Sequence, residues 1–373
     1  MSKSSRYLDA LQVMLAPAKV VLDGPNPWDI RVHDPKFAQR ILAHGTMGVG
    51  ESYMDGQWDS GCLDEMLFRV FRAYADEHLP GAREVFAAIM ARVRNPQTAR
   101  RSFKVGRRHY DIGDDLYERM LDRRMIYSCG YWRDAGDLEA AQVAKLDLIC
   151  RKLRLKPGMR VLDIGCGWGG AAQFAAERYG VSVVGVTVSQ HQADAARERC
   201  KHLPVEILLQ DYRSLRGRFD RIFSIGMFEH VGFRNYRRYF RKVRQLLADD
   251  GLFLLHTIGA NVSQKANDPW IERHIFPNSL IPSLAQIAKA MEKRFVIEDV
   301  HGFGPDYDRT LMEWYRRIQS RWGEIAQRYD ERFRRMWTFW LLSSAAHFRA
   351  RRGQLWQLLL SPSGIVGGCE PVR

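Results

Sequence analysis

A short apolar run that ends in a cluster of glycines constrains this chain more than any other feature of its sequence. Residues 161–170 read Val-Leu-Asp-Ile-Gly-Cys-Gly-Trp-Gly-Gly, and apolar residues at helical spacing follow over 171–179. The pattern predicts a strand, a glycine turn and a helix. Glycine lets a backbone approach a ligand closely where a side chain would clash. The turn is therefore expected to lie against a ligand.

Strands alternate with helices from Tyr110 onward. Short apolar runs predict strands at 160–164, 182–187, 204–209, 219–225 and 251–256, and helical spacing predicts helices at 171–179, 190–200 and 236–247. Alternation at this spacing indicates an α/β fold that has a mostly parallel sheet with helices on both faces.

The N-terminal part of the chain is expected to form a smaller, mainly helical domain over residues 1–90. Apolar residues recur at helical spacing in three stretches, 7–20, 35–42 and 63–74. Gly45, Gly48 and Gly50 are expected to break this pattern.

Residues 91–108 are strongly basic and contain one proline and one glycine. This composition predicts a linker, which is either a solvated hinge or a strap that contacts phosphate. The larger domain then spans residues 109–373.

Basic residues outnumber acidic ones by 57 to 43, which gives a formal net charge of +14. Such a balance favours a polyanionic partner, either nucleic acid or an anionic membrane surface. No apolar run approaches the roughly 20 residues that a membrane-spanning helix needs, and the start of the chain lacks the pattern of a signal peptide. The six cysteines are scattered without a Cys-x-x-Cys pair. They are expected to be free thiols in a reducing cytosol, with no metal site.

Two details favour S-adenosylmethionine (AdoMet) as the ligand of the glycine turn. Gly165, Gly167 and Gly170 also fit the G-x-G-x-x-G pattern of dinucleotide sites, so a nicotinamide or flavin cofactor is the alternative. Asp163, however, stands two residues before the first glycine, as in the D-x-G-x-G pattern of AdoMet methyltransferases, where a carboxylate faces the donor's ammonium group. The second strand ends in Thr187 and not in the acidic residue expected to hold the ribose of NAD.

Six segments resemble the cyclopropane-fatty-acyl-phospholipid synthases and the related enzymes that modify mycolic acids. These segments are 48–59, 109–117, 125–132, 161–170, 224–232 and 302–311. The glycine turn is common to methyltransferases, whereas the other segments are specific to this family, and the match covers nearly the whole chain. The resemblance implies a Rossmann-like AdoMet-dependent methyltransferase domain over 109–373 and a lipid-binding domain over 1–90.

The resemblance also implies a reaction, in which a methylene group passes from AdoMet to the cis double bond of an unsaturated acyl chain in a membrane phospholipid. A bicarbonate ion in the active site would act as the base. The enzyme would be a cytoplasmic homodimer, peripheral at the inner face of the cytoplasmic membrane, with no nucleic-acid partner.

The family's functional residues can be carried onto this sequence. The implied bicarbonate cage and catalytic site comprise Cys129, Glu229, His256, Ile258 and Tyr307. Besides Asp163, the implied AdoMet contacts are Tyr127, Ser128, Gly165, Gly167, Thr187, Gln192, Gln210, Asp211 and Tyr212.

The positions of the implied catalytic residues suit this chemistry. Glu229 follows the fourth strand and His256 ends the fifth, so both are expected at the carboxyl edge of the sheet. Ionised Glu229 can accept the bicarbonate O–H, while His256 and Tyr307 can donate to its oxygens. Each residue also has a purely structural interpretation: a carboxylate at a helix start for Glu229, a core histidine for His256, a packing residue for Tyr307 and an inert thiol for Cys129.

Two positions depart from the family and two segments are ambiguous. Family members often have Asn where this chain has Asp114, so no role is assigned there. Ser344 replaces a cysteine once discussed as catalytic, which disfavours a nucleophilic cysteine. Segment 233–244 interleaves aromatic and basic residues and is either a membrane-docking surface or a helix that covers the sheet. Segment 332–360, dense in Arg and Trp, is open to the same two interpretations.

Three other functions remain as alternatives. One is a nucleic-acid methyltransferase, which the positive charge would also suit, although no RNA-binding module is evident. The second is a lipid enzyme that methylates the alkene without closing a ring, or a small-molecule methyltransferase. The third is an inactive lipid-binding protein.

Overall fold

The computed structural model describes residues 3–74 and 113–373, and these residues form two compact units. The first unit contains residues 3–74, 267–277 and 307–353. The second unit contains residues 113–266, 278–306 and 354–373. The predicted basic linker at 91–108 lies outside the described residues, as do the domain boundaries on either side of it. The division of the chain into domains at 1–90 and 109–373 therefore stays a prediction.

Helices and strands are numbered in chain order through the described residues. The helices are α1 (Lys3–Leu15), α2 (Lys36–His44), α3 (Thr46–Met54), α4 (Leu63–Ala73), α5 (Asp114–Met120), α6 (Leu138–Lys152), α7 (Gly170–Tyr179), α8 (Gln190–Cys200), α9 (Tyr236–Leu246), α10 (Pro269–His274), α11 (Leu284–Met291), α12 (Pro305–Ser320) and α13 (Glu331–Arg349). The strands are β1 (Ile30–Val32), β2 (Trp58–Ser60), β3 (Arg160–Ile164), β4 (Ser182–Thr187), β5 (Val205–Leu209), β6 (Phe219–Ile225), β7 (Leu247–Ala260), β8 (Val296–Gly302) and β9 (Gly353–Ser361). Within the described residues, every helix is too short or too polar to span a lipid bilayer.

Seven of the strands form one sheet in the order β5-β4-β3-β6-β7-β9-β8. The pairs from β5 through β7 are parallel, whereas β8 and β9 are antiparallel. The mostly parallel α/β sheet is thus confirmed, and a strand lies at each of the five predicted runs. No predicted run corresponds to β8 or β9, which extend the sheet beyond β7.

β7 is longer than predicted, and its length corrects the expected position of His256. The strand does not end at His256 but runs on to Ala260. In this extension, a Cβ at Gly259 would overlap the indole of Trp356 on β9, so the glycine permits close packing there. His256 nevertheless pairs with Ile225, the last residue of β6. It therefore lies level with the carboxyl end of the neighbouring strand.

The aromatic residues of α9 pack against the sheet. Tyr236, Tyr239 and Phe240 are at most 2% exposed and belong to the main hydrophobic cluster of the second unit. The aromatic half of segment 233–244 thus covers the sheet, in agreement with the second of its two interpretations. Only the basic half of the helix faces outward.

The tryptophans of segment 332–360 also belong to packed interiors. In the first unit, Trp337 and Trp340 on α13 are 1% and 4% exposed, with their rings 4.6 Å apart. In the second unit, Trp356 on β9 is partly buried against the main cluster. Buried indoles of this kind are not available to a membrane surface.

The glycines of the first unit do not all interrupt the helical pattern, so that prediction is wrong at two of the three positions. Gly48 and Gly50 lie inside α3, and only Gly45, with a φ of +56°, separates α2 from α3. A Cβ at Gly48 would overlap the backbone carbonyl of Arg40 on α2, and one at Gly50 would overlap the indole of Trp270 on α10. The two glycines are therefore tolerated in the helix because they allow its neighbours to pack closely.

Candidate active site

The glycine turn between β3 and α7 holds its backbone in a conformation that other residues avoid. Gly165, Gly167 and Gly169 have φ angles of +91°, +52° and +81°. The Gly165 N–H donates to the carbonyl of Val186 on β4 at 2.9 Å, which fixes the turn to the neighbouring strand. A Cβ at Gly165 would lie 2.7 Å from the Met227 side chain, in the segment after β6. The predicted contacts Gly165 and Gly167 thus lie in a turn that leaves no room for a side chain at its first position.

Asp163 is a buried carboxylate on β3, just before this turn. It is 1% exposed, and its Oδ2 atom has no hydrogen-bond partner among the described residues. Burial raises the pKa of Asp163 to about 8, and the charge of Lys145 opposes this effect. A positively charged ligand group beside the carboxylate would favour its ionised form, as expected for the ammonium group of AdoMet.

Thr187 and Gln192 are brought together where β4 ends and α8 begins. The Thr187 hydroxyl donates to Gln192 Oε1 at 3.1 Å and accepts the backbone N–H of Ser189 at 3.2 Å. Ser189 also caps α8, where its side chain accepts the Gln192 N–H. Both predicted contact residues are under 9% exposed. The protein thus fixes the orientations of these two side chains by itself.

The three predicted contacts after β5 lie at the same edge of the sheet. Asp211 is 8% exposed, and its carboxylate accepts the backbone N–H of Arg213 at 2.9 Å and the Arg213 Nε–H at 2.7 Å. The Tyr212 ring lies 5.3 Å from the ring of Tyr239 on α9. Gln210 is partly buried. The Asp211 carboxylate is therefore held in place by its own segment.

Tyr127, Ser128 and Cys129 lie on the segment between α5 and α6. Two side chains of α6 hold Ser128: Gln142 Nε2 donates to its carbonyl at 2.8 Å, and Lys145 Nζ donates to its hydroxyl at 2.9 Å. Cys129 is completely buried. The Tyr127 ring packs 5.2 Å from a tyrosine ring on α5. This segment is consequently anchored to the helices on both sides.

Glu229 and Ile258 are in direct contact. Glu229 lies in a short 3-10 turn after β6 and is 6% exposed. Its Oε1 atom accepts the Ile258 backbone N–H of β7 at 2.7 Å, while Oε2 has no hydrogen-bond partner among the described residues. Burial raises the pKa of Glu229 to about 7, although the Ile258 hydrogen bond opposes this. The carboxyl group can therefore change its charge near neutral pH.

His256 is held as a neutral imidazole with one nitrogen left for a ligand. Its Nδ1 atom accepts a hydrogen bond from Gln357 Nε2 of β9 at 3.3 Å, which leaves the ring proton on Nε2. Nε2 is buried and has no hydrogen-bond partner among the described residues. Burial lowers the pKa of His256 well below its usual value, and the charges of Lys145 and Lys152 lower it further. Nε2–H is thus a buried donor.

Tyr307, the remaining predicted catalytic residue, belongs to the first unit. It lies on α12, is 8% exposed and stacks on Phe348 of α13 with the ring centres 4.7 Å apart. The other four belong to the second unit: Cys129, Glu229, His256 and Ile258. The participation of Tyr307 in a site with these residues stays a prediction.

Asp114, to which the sequence assigns no role, links the glycine turn to α8. Its Oδ1 atom accepts the indole N–H of Trp168 at 3.0 Å, and Oδ2 lies 3.3 Å from His191 Nε2. All six cysteines are free thiols, as predicted. Among residues 3–74 and 113–373, no cluster of three or more His, Cys, Asp or Glu side chains could hold a metal ion.

Sequence reasoning missed Gln142, Lys145 and Gln357, which hold Ser128 and His256. The first two are buried among mostly apolar residues of α6, and Gln357 stands within the mostly apolar strand Gly353–Ser361. The sequence signal that could have indicated them was a polar residue at a position whose spacing predicts burial. Because buried polar groups need partners, such a residue is expected to bind another buried group.

Comparison with known proteins shows that this chain is similar to lipid-modifying enzymes. A sequence profile of the mycolic acid cyclopropane synthetase family matches residues 97–358. The cyclopropane-fatty-acyl-phospholipid synthase of Escherichia coli (strain K12) is 52% identical over 361 residues, which cover 96% of this chain and 94% of that protein. The tuberculostearic acid methyltransferase UfaA1 of Mycobacterium tuberculosis is 33% identical over 366 residues, which cover 91% of this chain and 84% of that protein.

Solved structures agree with the sequence relatives. The cyclopropane synthase MmaA2 from Mycobacterium tuberculosis has a TM-score of 0.65 at 32% identity, and the match covers 69% of this chain and 97% of that one. The mycolic acid cyclopropane synthase CmaA1 was solved with S-adenosylhomocysteine (SAH) and CTAB. It also has a TM-score of 0.65, at 33% identity and with the same coverage of both chains. The fold is thus that of the AdoMet methyltransferases.

Proposed function

The chain belongs to the mycolic acid cyclopropane synthetase family, and we propose that it makes cyclopropane fatty acids. It is an AdoMet-dependent methyltransferase that transfers a methylene group to the cis double bond of an unsaturated acyl chain in a membrane phospholipid. The relative in Escherichia coli bears this activity in its name. The observation in the structure that carries the proposal is the buried pair Glu229 and His256, each with one unpaired polar atom at the carboxyl edge of the sheet.

The reaction needs a dry site and a base. AdoMet would supply an electrophilic methyl group. Attack by the alkene would break the bond between sulfur and methyl, release S-adenosylhomocysteine and leave a carbocation-like centre, and the new methyl group must then lose a proton to the base for the ring to close. Water would trap the cation, so the site must exclude it. Cys129, Glu229 and His256 are all at most 6% exposed, and the Phe303 ring lies 5.8 Å from the His256 ring. This burial supports the proposal.

Bicarbonate is the base that we propose, and the unpaired atoms of the site suit it. When bound, this ion would supply a basic oxygen. The Ile258 N–H holds Glu229 by Oε1, so Oε2 of the ionised carboxylate is left to accept an O–H group. The Gln357 amide holds His256 by Nδ1, so the Nε2–H is left to donate to an oxygen. Cys129 and Tyr307 would complete the cage.

The proposed AdoMet site combines the glycine turn with residues after β4, after β5 and before α6. Asp163 would accept from the donor's ammonium group with its unpaired Oδ2 atom. Backbone at Gly165 and Gly167 would approach the donor closely. The remaining proposed contacts are Tyr127, Ser128, Thr187, Gln192, Gln210, Asp211 and Tyr212.

We further propose that the chain docks from the water side onto the inner face of the cytoplasmic membrane, as a homodimer. Arg237, Arg238 and Arg241 are exposed on the face of α9 opposite its buried aromatics, and Arg234, in the turn just before α9, is exposed as well. Basic residues near an anionic lipid surface contribute about 1 kcal/mol each. Vesicle binding by a variant with these four arginines changed to Gln tests the docking surface. The matched control changes the exposed Lys156, Arg178, Lys289 and Lys293 to Gln, and equal binding losses in both variants would refute the assignment.

The reaction is tested with the purified chain, AdoMet and unsaturated phospholipid vesicles. The expected product is an acyl chain that has gained one carbon and lost its double bond. A surviving double bond would instead support alkene methylation without ring closure, which the similarity to a tuberculostearic acid methyltransferase makes the second candidate. Omission of bicarbonate should lower turnover while SAH still binds; unchanged turnover would exclude bicarbonate as the base. Light scattering on the same sample tests the homodimer.

A further inference from the structure

Lys145 is a buried lysine that the proposed reaction leaves without a role. It is completely inaccessible to solvent, although an unpaired buried ammonium is strongly destabilising. Its Nζ atom donates to the Ser128 hydroxyl at 2.9 Å, and Gln142, on the preceding turn of α6, donates to the Ser128 carbonyl at 2.8 Å. Two side chains of α6 therefore bind the hydroxyl and the carbonyl of Ser128.

The charge of Lys145 acts on groups from several elements of the site. Asp163 on β3 and Asp122 and Cys129 on the segment before α6 favour the charged ammonium, which burial opposes, and the net effect lowers the pKa of Lys145 to about 8. The same charge opposes protonation of His256 on β7. The charge of this one side chain thus acts on the segments proposed to bind the methyl donor and on the strand that bears His256.

We propose that Lys145 is the positioning residue of the methyl-donor site. It fixes the Ser128 hydroxyl, and with it the segment Tyr127–Cys129, and its charge favours the ionised form of the Asp163 carboxyl group, which burial opposes. Asp163 Oδ2 has no hydrogen-bond partner among the described residues, and the Lys145 ammonium group is the charge that opposes the effect of burial on this carboxyl group before the donor binds. The proposal rests on the proposed function, since it assigns the donor to this site.

Lys152 on the same helix provides a matched control. It is 1% exposed, and burial lowers its pKa to about 8 as well. Its Nζ atom pairs with Asp299 Oδ2 at 3.3 Å, and Asp299 also binds Arg373. Lys152 makes no hydrogen bond or ion pair with a proposed donor contact in the part of the chain that the structure describes. Loss of a buried ammonium at this position therefore reports on stability and not on donor binding.

The test compares Lys145→Met with Lys152→Met in the full-length chain. Lys145→Met should weaken SAH binding in calorimetry, and raise the KM for AdoMet, about ten- to a hundredfold, while the KM for vesicle lipid stays within twofold. Lys152→Met should bind SAH within twofold of the unchanged chain even if its unfolding temperature falls. Unchanged SAH affinity in Lys145→Met, or an equal loss in both variants, would overturn the proposal.

Two further measurements keep the proposal testable if Lys145→Met fails to fold. First, as pH rises through about 8, where Lys145 loses its proton and Asp163 also ionises, SAH affinity of the unchanged chain should fall relative to that of a variant with a permanent positive charge at position 145. Lys145→Arg should not show this fall, because its guanidinium stays charged; the same fall in both proteins would overturn the proposal. Second, Ser128→Ala should weaken SAH binding. Lys145→Arg should then change SAH affinity less in the Ser128→Ala background than in the unchanged chain. If the effects of the two substitutions on SAH affinity were fully additive, action of Lys145 through Ser128 would be excluded.

These outcomes are separate from those of the proposed function. SAH binding that depends on Lys145, together with no cyclopropane product, would contradict the proposed reaction and leave the assignment of Lys145 in place. Cyclopropane formation together with an SAH affinity that does not depend on Lys145 would support the proposed reaction and contradict the assignment of Lys145.

Discussion

Two parts of the carboxyl edge of the sheet differ in whether their buried polar side chains are paired within the protein. On the donor side, the segments after β4 and β5, polar side chains pair with each other: Thr187 with Gln192, and Asp211 with Arg213. On the reacting side, formed by Glu229 after β6 and His256 within β7, each side chain keeps one polar atom unpaired among the described residues.

The difference shows which hydrogen bonds the protein makes alone and which it leaves to a ligand. An unsatisfied buried polar group costs about 1–3 kcal/mol. Such a cost is expected where a bound group later satisfies the atom, as at a reaction centre. The segments after β4 and β5 are thus organised before binding, whereas the reacting side, like Asp163 Oδ2 beside the glycine turn, is completed by what binds there.

The largest expected effect lies on the reacting side. Glu229→Gln removes the negative charge at Oε2 and should lower kcat about 100- to 10,000-fold, the range for loss of acid–base function. SAH affinity, measured by calorimetry, should stay within twofold because the donor side is untouched. Glu206→Gln, at an exposed position on β5, is the control. Turnover of Glu229→Gln close to that of the unchanged chain would show that the unpaired carboxylate has no catalytic role.

A smaller effect on the same side should follow from the residue that orients His256. Gln357→Leu removes the donor to Nδ1, so the ring can turn or exchange its tautomer, and kcat should fall about ten- to a hundredfold. The KM for AdoMet should not change. Gln354→Leu, on the same strand but bonded to Asn261, is the matched control. Equal turnover in the two variants would contradict a tautomer-setting role for Gln357.

On the donor side, a single substitution should produce a modest change in affinity alone. Thr187→Val keeps the shape of the side chain but removes the donor to Gln192 Oε1. Loss of one hydrogen bond worth about 1 kcal/mol corresponds to about fivefold weaker SAH binding. Titration calorimetry measures this change, and kcat at saturating AdoMet should stay constant. A large fall in kcat in this variant would contradict the expectation that the donor side affects AdoMet affinity and not turnover.

The smallest expected effect is on stability. The pKa of Glu229 is raised to about 7 in the folded chain, so its stabilising contribution is present below about pH 4.5 and is lost as pH rises through about 7. Glu229→Gln lacks this loss and should unfold about 2–4 °C higher than the unchanged chain at pH 8. The difference should shrink towards pH 5 in thermal unfolding followed by circular dichroism. If Glu229→Gln were less stable than the unchanged chain at pH 8, another group would have to stabilise the ionised Glu229 carboxylate in the absence of a ligand.

The sequence by itself determined the order of strands and helices around the glycine turn and placed Asp163, Thr187 and Glu229 near strand ends. Apolar periodicity and glycine positions act over a few neighbouring residues, so they can be recognised in the chain. Only the tertiary structure decided that Gly48 and Gly50 lie within a helix, that β7 continues past His256, and that Lys145 and Gln357 hold site residues. These features depend on contacts between residues far apart in the sequence. The packing of the whole fold determines which group binds a buried polar atom, so a local sequence pattern cannot predict it.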